Sequence, residues 1–295
     1  MAIGKVIWTY FKGEWRQGDT PVINAADHGA WLGSLVFDGA RSFEGLVPDL
    51  DLHCARINQS ALIMGLKPTH TVQQLMDLTH QGLENFSDDD AVYIRPMYWP
   101  TDGGAGTIIP DENSTEFCLC LEQLPMAPAS ATQTLCRTRY VRPMLNMAPV
   151  NAKAACLYAN NARMIREAIA RGYNNALVAD ALGNVAETAT ANIFMAKDDV
   201  VYTPVPNGTF LNGITRQRVI ALLRDAGRNL VESTLCFEDF ENADEVFMSG
   251  NISKVTSVVK FEDSDYEIGP VTRLARELYW QWARTWQVPA RSTCR

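Results

Sequence analysis

The stretch from Val150 to Arg216 constrains this chain most, because it places two isolated charges among apolar and small residues. Lys153 stands alone in one such run, and Glu187 stands alone in another. Runs of this kind fold into a protein interior, where an unpaired ammonium or carboxylate group costs several kcal/mol. Each charge therefore needs a partner. The two could pair with each other in a silent structural ion pair, or each could meet a bound ligand.

A pyridine cofactor with an aldehyde group would supply both partners at once. The aldehyde would form a Schiff base with Lys153, whose amine becomes nucleophilic when burial disfavours its protonated form. The ring nitrogen would face Glu187, and a carboxylate there keeps that nitrogen protonated. A protonated pyridine ring withdraws electrons from a neighbouring carbanion.

A glycine turn that opens a helix lies at the end of the same stretch. The run Leu211–Arg216 precedes Val219, Leu222 and Leu223 at helical spacing. Thr215 is expected to cap this helix, and free amides with a hydroxyl at a helix N-terminus bind anions. The phosphate of pyridoxal phosphate is the anion that this chemistry would bring.

Three segments carry a resemblance to a known family: Val185–Phe194, Leu211–Arg216 and Ala243–Gly250. In this order they resemble the motifs of fold-type IV pyridoxal phosphate enzymes, in particular the branched-chain amino acid aminotransferases and the (R)-selective amine transaminases. The resemblance implies an α/β (α+β) fold with two domains. We expect a small N-terminal α/β domain over residues 1–121, an interdomain linker over 122–131, and a large C-terminal domain over 132–295 that binds pyridoxal phosphate.

The resemblance also implies roles for individual residues. Lys153 is expected to be the catalytic residue. Arg56 is expected to bind the phosphate, because His53–Ile57 is similar to the family's H-x-x-R-L motif; taken alone, Arg56 would more often be a solvated helix residue. The residues expected to bind the cofactor are Arg56, Tyr158, Glu187, Leu211, Gly213, Ile214, Thr215 and Asn251.

Two strand patterns and a turn predict the substrate pocket. Phe37, Gly39 and Arg41 alternate along one strand and so share a face, as do Tyr93 and Arg95 on another. Tyr93 and Arg95 together can grip a carboxylate, and the pair resembles the Y-x-R of the branched-chain enzymes. The remaining expected substrate-binding residues are Ile252 and Ser253. A bulge at Gly39 with an outward Arg41, and a plain surface pair at Tyr93 and Arg95, remain the alternatives.

The function implied is a branched-chain aminotransferase, which moves the amino group of a hydrophobic L-amino acid (Leu, Ile or Val) to a 2-oxo acid. An (R)-selective amine:pyruvate transaminase is the first alternative, since Ile252 brings bulk to the place where the donor carboxylate would be recognised. A D-amino acid aminotransferase is the third candidate. A pyridoxal phosphate carrier without activity would need the phosphate-binding residues but not both Lys153 and Tyr158.

Local patterns predict several elements. Asp51 is expected to cap a helix over Leu52–Met64, and a strand is expected over Leu35–Phe43. A terminal helix is expected over about Pro270–Thr285. The loop between Pro100 and Thr115, rich in Gly, Pro and Asp, is expected to be an active-site flap.

Composition excludes several classes of partner. A net charge of −8 without a basic block argues against nucleic acid and anionic membranes. We found no segment that could span a bilayer. Seven cysteines without C-x-x-C spacing indicate the reduced cytoplasm, and the alternation around Cys118 and Cys120 favours a buried strand over a metal site. The expected partners are an amino donor, a 2-oxo acid and a second copy of the chain, with no metal.

Overall fold

A computed structural model describes residues 6–104 and 106–286, and within them the first half of the chain forms a six-stranded sheet. Its strands are β1 (Ile7–Phe11), β2 (Glu14–Gln17), β3 (Val36–Phe37), β4 (Ala40–Ser42), β5 (Val92–Pro100) and β6 (Thr115–Gln123). The order is β2-β1-β6-β5-β3, with β4 also paired to β5, and every pairing is antiparallel. The helices here are α1 (His28–Trp31), α2 (Leu50–Ile63) and α3 (Val72–Leu83).

The second half forms a nine-stranded mixed sheet within the described residues. Its strands are β7 (Thr132–Arg137), β8 (Asn175–Ala179), β9 (Val185–Thr188), β10 (Asn192–Lys197), β11 (Val200–Pro204), β12 (Leu230–Ser233), β13 (Glu245–Gly250), β14 (Lys254–Phe261) and β15 (Ser264–Asp265). The order is β12-β11-β10-β13-β14-β7-β8-β9, and β15 pairs with β14. The helices are α4 (Tyr158–Ala170), α5 (Ile214–Asp225), α6 (Phe237–Glu241) and α7 (Pro270–Thr285).

Each sheet packs against helices through its own apolar cluster. Helices α2 and α3 cover the first sheet through residues such as Ile57, Ala61 and Leu75. Helices α5 and α7 cover the second through Val219, Leu223, Ala275 and others. Within the described part of the chain, no helix has the length and apolar character that crossing a membrane requires.

The segment around Lys153 joins the two halves. It follows the second sheet's first strand in sequence, yet Ala152 and Ala154 pack into the cluster of the first sheet. The Phe37 amide donates to the Lys153 carbonyl at 3.1 Å, and the Ala155 amide donates to the Leu35 carbonyl at 2.9 Å. Lys153 is therefore fixed where the two halves meet.

The mixed α/β fold that the sequence predicted is confirmed, and α7 has the predicted bounds. The prediction of one strand over Leu35–Phe43 was wrong. The Asp38 carboxylate accepts the Gly39 amide at 2.6 Å, which takes that amide out of the sheet ladder and separates β3 from β4. The domain boundaries stay a prediction; the first sheet ends at Gln123 and the second begins at Thr132.

Both predicted helix caps were misplaced. Helix α2 begins two residues earlier than expected, with Asp49 at the N-cap in the left-handed region (φ 58°), and Asp51 lies in its first turn. Helix α5 has Gly213 at its N-cap, so Thr215 belongs to the first turn and does not cap it. The Asp49 carboxylate pairs instead with Arg218 at 2.6 Å, which explains why it does not bond the helix amides.

Candidate active site

A cavity of about 460 Å³ opens beside Lys153 and is lined by residues of both sheets. This volume suits a small-molecule ligand. Every predicted site residue except Arg41 and Arg95 lines it: Phe37, Gly39, Arg56, Tyr93, Lys153, Tyr158, Glu187, Leu211, Gly213, Ile214, Thr215, Asn251, Ile252 and Ser253.

The Lys153 amine is held by aromatic neighbours. Its Nζ donates to the Tyr158 hydroxyl at 2.6 Å, and the Phe37 ring centroid lies 4.8 Å from Nζ. The Lys153 backbone amide donates to Ser60 Oγ at 3.0 Å. Tyr158 is the first residue of α4, so the hydroxyl that meets the amine is placed by a helix start. Backbone and side chain are thus both fixed at this lysine.

Glu187 on β9 finds its ionic partner in Arg142, which the sequence analysis did not select. Arg142 Nη2 lies 3.2 Å from Glu187 Oε1, and Asn192 Nδ2 donates to Oε2 at 3.3 Å. Burial raises the pKa of Glu187 above its ordinary value, while Arg142 and Lys153 act to lower it. Lys153 thus influences Glu187 electrostatically. The direct ion pair of Glu187, however, is with Arg142 and not with Lys153, as the sequence had suggested it could be.

Arg142 is itself held in place from two other elements. Its Nη1 donates to Asn161 Oδ1 on α4 at 2.6 Å, and its Nη2 donates to the Thr188 carbonyl at 2.7 Å. No sequence signal connects Arg142 with Glu187, because their contact depends on how β9 packs beside the segment that follows β7.

At the other end of the cavity, one asparagine fixes the start of α5. Asn192 Oδ1 accepts the Gly213 amide at 3.2 Å, and Asn192 Nδ2 donates to the Leu211 carbonyl at 3.0 Å. A Cβ at Gly213 would collide with Asn192 Oδ1, so this close approach requires glycine. Asn192 lies within the motif Val185–Phe194, and its position there was the available signal.

Arg56 faces the cavity from α2 and is anchored by a buried acid. Its Nε and Nη2 donate to the two Asp38 oxygens at 2.6 and 2.8 Å, and His53 Nδ1 lies 2.7 Å from Asp38 Oδ1. Although burial acts to raise it, the pKa of Asp38 is held below its usual range by Arg56 and His53. Asp38 was missed, although an acid between apolar strand residues was a usable signal.

The hydroxyl of Tyr93 reaches the cavity because Gly39 has no side chain. A Cβ at Gly39 would lie 2.5 Å from the Tyr93 oxygen. Burial raises the pKa of Tyr93 well above its ordinary value, so this hydroxyl stays protonated at neutral pH and can donate a hydrogen bond.

Arg41 and Arg95 lie on the expected face of the sheet, but their guanidinium groups bond elsewhere. In the register of β4 and β5, Arg41 is opposite Tyr93. Arg41 donates to the Leu124 carbonyl, and Arg95 Nη1 donates to Glu122 at 2.8 Å. The structure therefore does not bring either arginine to the cavity wall. Among residues 6–104 and 106–286, no group of His, Cys, Asp and Glu side chains is arranged to hold a metal ion.

Comparison with known proteins identifies the family. Residues 35–261 match the model of amino-transferase class IV. The chain belongs to this family. This class IV aminotransferase is 31% identical to a probable branched-chain-amino-acid aminotransferase from Rickettsia bellii, over 85% of this chain and 86% of the relative.

Solved structures agree with this family. An aminotransferase from Brucella abortus bound to the cofactor PLP has a TM-score of 0.94 and 56% identity, covering 95% of this chain and 100% of that one. The branched-chain amino acid aminotransferase of Escherichia coli has a TM-score of 0.86 and 27% identity, covering 94% of each chain. The predictions of an aminotransferase and of the fold-type IV architecture are thereby confirmed.

Proposed function

We propose that this class IV aminotransferase is of the branched-chain type. It transfers the amino group of a hydrophobic L-amino acid, Leu, Ile or Val, to a 2-oxo acid, with pyridoxal phosphate bound in the cavity. The observation that carries the proposal is the single cavity that combines the Lys153 amine, the Glu187 carboxylate and the N-terminus of α5. The relatives' names agree with it.

The donors around the cavity fit the cofactor. Asn251 Nδ2 and Ser249 Oγ are buried without a hydrogen-bond partner, and both residues line the cavity. With Arg56 and the first amides of α5, they form a donor set suited to a phosphate group. Glu187 supplies the anion that a protonated pyridine nitrogen requires. When bound, pyridoxal phosphate supplies the electron sink for the carbanion.

Lys153 moves the proton of the reaction. With the cofactor bound, its amine would act as the base that takes the proton from the donor's α carbon and then as the acid that gives it back. The Tyr158 hydroxyl orients Nζ through the 2.6 Å hydrogen bond. The Arg142 guanidinium, 3.2 Å from Glu187, favours the charged carboxylate and so opposes the effect of burial on its pKa. Each role belongs to a side chain that the cavity wall already fixes.

The cavity wall favours a hydrophobic substrate. Apolar side chains from Phe37, Val150, Leu157 and Ile252 line it. Because Arg41 and Arg95 bond elsewhere, we assign the substrate carboxylate to the Tyr93 hydroxyl and the backbone near Ser253. Neutral donors bind a carboxylate less strongly than a guanidinium does.

One observation favours the (R)-selective amine transaminase as a second candidate. Ile252, on the cavity wall, is 40% exposed and brings an aliphatic group to the place assigned to the carboxylate. Contact with an apolar substituent there would suit an amine without a carboxylate.

Parallel assays distinguish the candidates. We expect turnover of L-leucine with 2-oxoglutarate to exceed that of (R)-1-phenylethylamine with pyruvate, and that of D-alanine with 2-oxoglutarate. Amine turnover without reaction of leucine, isoleucine or valine would establish the second candidate instead. Borohydride reduction followed by peptide mapping should place the cofactor on Lys153; a label on another lysine contradicts the site.

We also propose a homodimer in the cytoplasm. Large apolar side chains are exposed at Trp31, Ile108, Ile109 and Met147, as is common where a partner subunit binds. All the cysteines that the structure describes are free thiols, which suits a reducing compartment.

A further inference from the structure

A second lysine, Lys254, lies fully inside the protein beside the cavity. It begins β14, is 1% exposed and adopts φ 61°. Its Nζ donates to Asn251 Oδ1 at 2.8 Å. The same Nζ lies 5.9 Å from the Phe43 ring centroid and 5.7 Å from that of Tyr279. Burying an amine in such surroundings is costly, so its retention calls for a reason.

Among residues 6–104 and 106–286, no carboxylate forms an ion pair with this amine. Arg41 is a cationic neighbour, and its Nε and Nη1 have no hydrogen-bond partner. Asp49 is the nearby acid, but its carboxylate is bound to Arg218 at 2.6 Å. Burial first, and then Arg41, lower the pKa of Lys254 to about 7, while Asp49 opposes them. Stability of the fold therefore does not account for Lys254.

The hydrogen bond to Asn251 gives Lys254 a function. A side-chain amide has a donor end and an acceptor end. The protonated Lys254 amine can only donate, so it holds the acceptor Oδ1 and leaves Nδ2 as the free end. That Nδ2 is the buried donor without a partner, on a residue that lines the cavity together with Thr215 and Arg56.

We propose that Lys254 is a positioning residue that orients the Asn251 amide so that Nδ2 donates to the cofactor phosphate. The inference rests on the proposed cofactor site and adds a residue that does not itself touch the cavity. Because Lys254 is not part of the amine chemistry at Lys153, its effect should appear in phosphate binding rather than in proton transfer.

The test measures the binding of pyridoxamine phosphate, which cannot form a Schiff base, to the apoproteins of wild type, Asn251→Ala, Lys254→Met and the double variant. Losing one hydrogen bond to a charged group corresponds to roughly tenfold weaker binding. We expect each single variant to show that loss and the double variant to show no further loss. Losses that multiply in the double variant would overturn the proposal.

Two further variants separate positioning from structure. Lys254→Glu replaces the donor by an acceptor, so the Asn251 amide should turn and present Oδ1 to the phosphate. We expect binding weaker than in Lys254→Met, with a changed phosphorus NMR shift of the bound ligand; an unchanged shift would contradict the proposal. Lys260→Met, on the exposed part of β14, is the matched control and should bind like wild type.

The outcomes also distinguish this inference from the proposed site. If Asn251→Ala binds as tightly as wild type, Asn251 does not hold the phosphate. The proposed phosphate role of Asn251 and the positioning role of Lys254 are then both wrong. If Asn251→Ala weakens binding but Lys254→Met does not, only the role of Lys254 is wrong. Thermal unfolding of the apoproteins should show Lys254→Met at least as stable as wild type, because an apolar side chain replaces a buried amine.

Discussion

Glu187 and Asp38 are buried acids of the cavity whose pKa values move in opposite directions. Burial dominates at Glu187 and raises its pKa, whereas Arg56, together with the hydrogen bond from His53, overcomes burial at Asp38 and lowers its pKa. The difference follows from the number of hydrogen bonds that favour the charged carboxylate. Glu187 has one direct ionic contact, and Asp38 has Arg56 on both oxygens and His53 on one.

Glu187→Gln should flatten the pH dependence of the apoprotein's stability. Because the pKa of Glu187 is raised in the folded state, its protonated carboxyl contributes stability below pH 4.5. That contribution is lost as the pH rises through the folded-state pKa. Above this range the wild type therefore loses free energy of unfolding that the glutamine variant keeps. Urea unfolding at a series of pH values measures it. The loss of the Arg142 ion pair shifts the whole curve, so the slopes are compared; equal slopes contradict the prediction.

Asp38→Asn should destabilise the apoprotein by about 3–5 kcal/mol at neutral pH, because it leaves the half-buried Arg56 without its fully buried carboxylate partner. The pKa of Asp38 is lowered, so the carboxylate contributes fully above pH 3.8 and its contribution declines only as pH falls through the folded value. Urea unfolding provides the measurement. Asp265→Asn, which breaks the exposed pair with Lys260, is the control and should cost less than about 1 kcal/mol.

Among the elements, the start of α5 depends on the close approach of Gly213 to Asn192, and a substitution at Gly213 tests this dependence. Gly213→Ala places a methyl group against Asn192 Oδ1 and should displace the first turn of the helix. Losing its phosphate donors corresponds to about 1.5–3 kcal/mol of cofactor binding, or at least tenfold. Equilibrium dialysis of pyridoxal phosphate measures this.

Gly227→Ala is the matched control at the other end of the same helix. Gly227 has φ 76° with open space around it, so alanine there costs about 1 kcal/mol of stability through backbone strain alone. Cofactor retention should stay at the wild-type level. If both glycine variants release the cofactor equally, general destabilisation explains the effect and the local argument fails.

Periodicity predicted the long elements well, and the cavity-lining residues were found where a motif contained them. Helix α7 and the residues around Lys153 and Glu187 are examples. The partners of those residues were missed, since Arg142 and Lys254 meet theirs only after the sheets pack. The misplaced caps at Asp51 and Thr215 have a local cause: other groups take over the capping positions, as Gly213 does in α5.

At the scale of the whole molecule, the proposed dimer makes a direct prediction. Light scattering during gel filtration should give twice the 32.8 kDa mass of one chain. Ile108→Glu with Ile109→Glu, which places charge on two side chains at least 60% exposed, should shift the protein toward the monomer. A wild-type monomer at micromolar concentration would contradict the proposal.

Asn192 links the two ends of the cavity. One side chain bonds Glu187 at the ring end and both Leu211 and Gly213 at the phosphate end. On the proposed assignment, a single side-chain amide therefore connects the site for the pyridine nitrogen with the site for the phosphate. A vitamer one bond shorter or longer satisfies one end and strains the other. The site is therefore expected to select a cofactor by the distance between its ring nitrogen and its phosphate. Pyridoxal, which lacks the phosphate, should compete poorly even at high concentration.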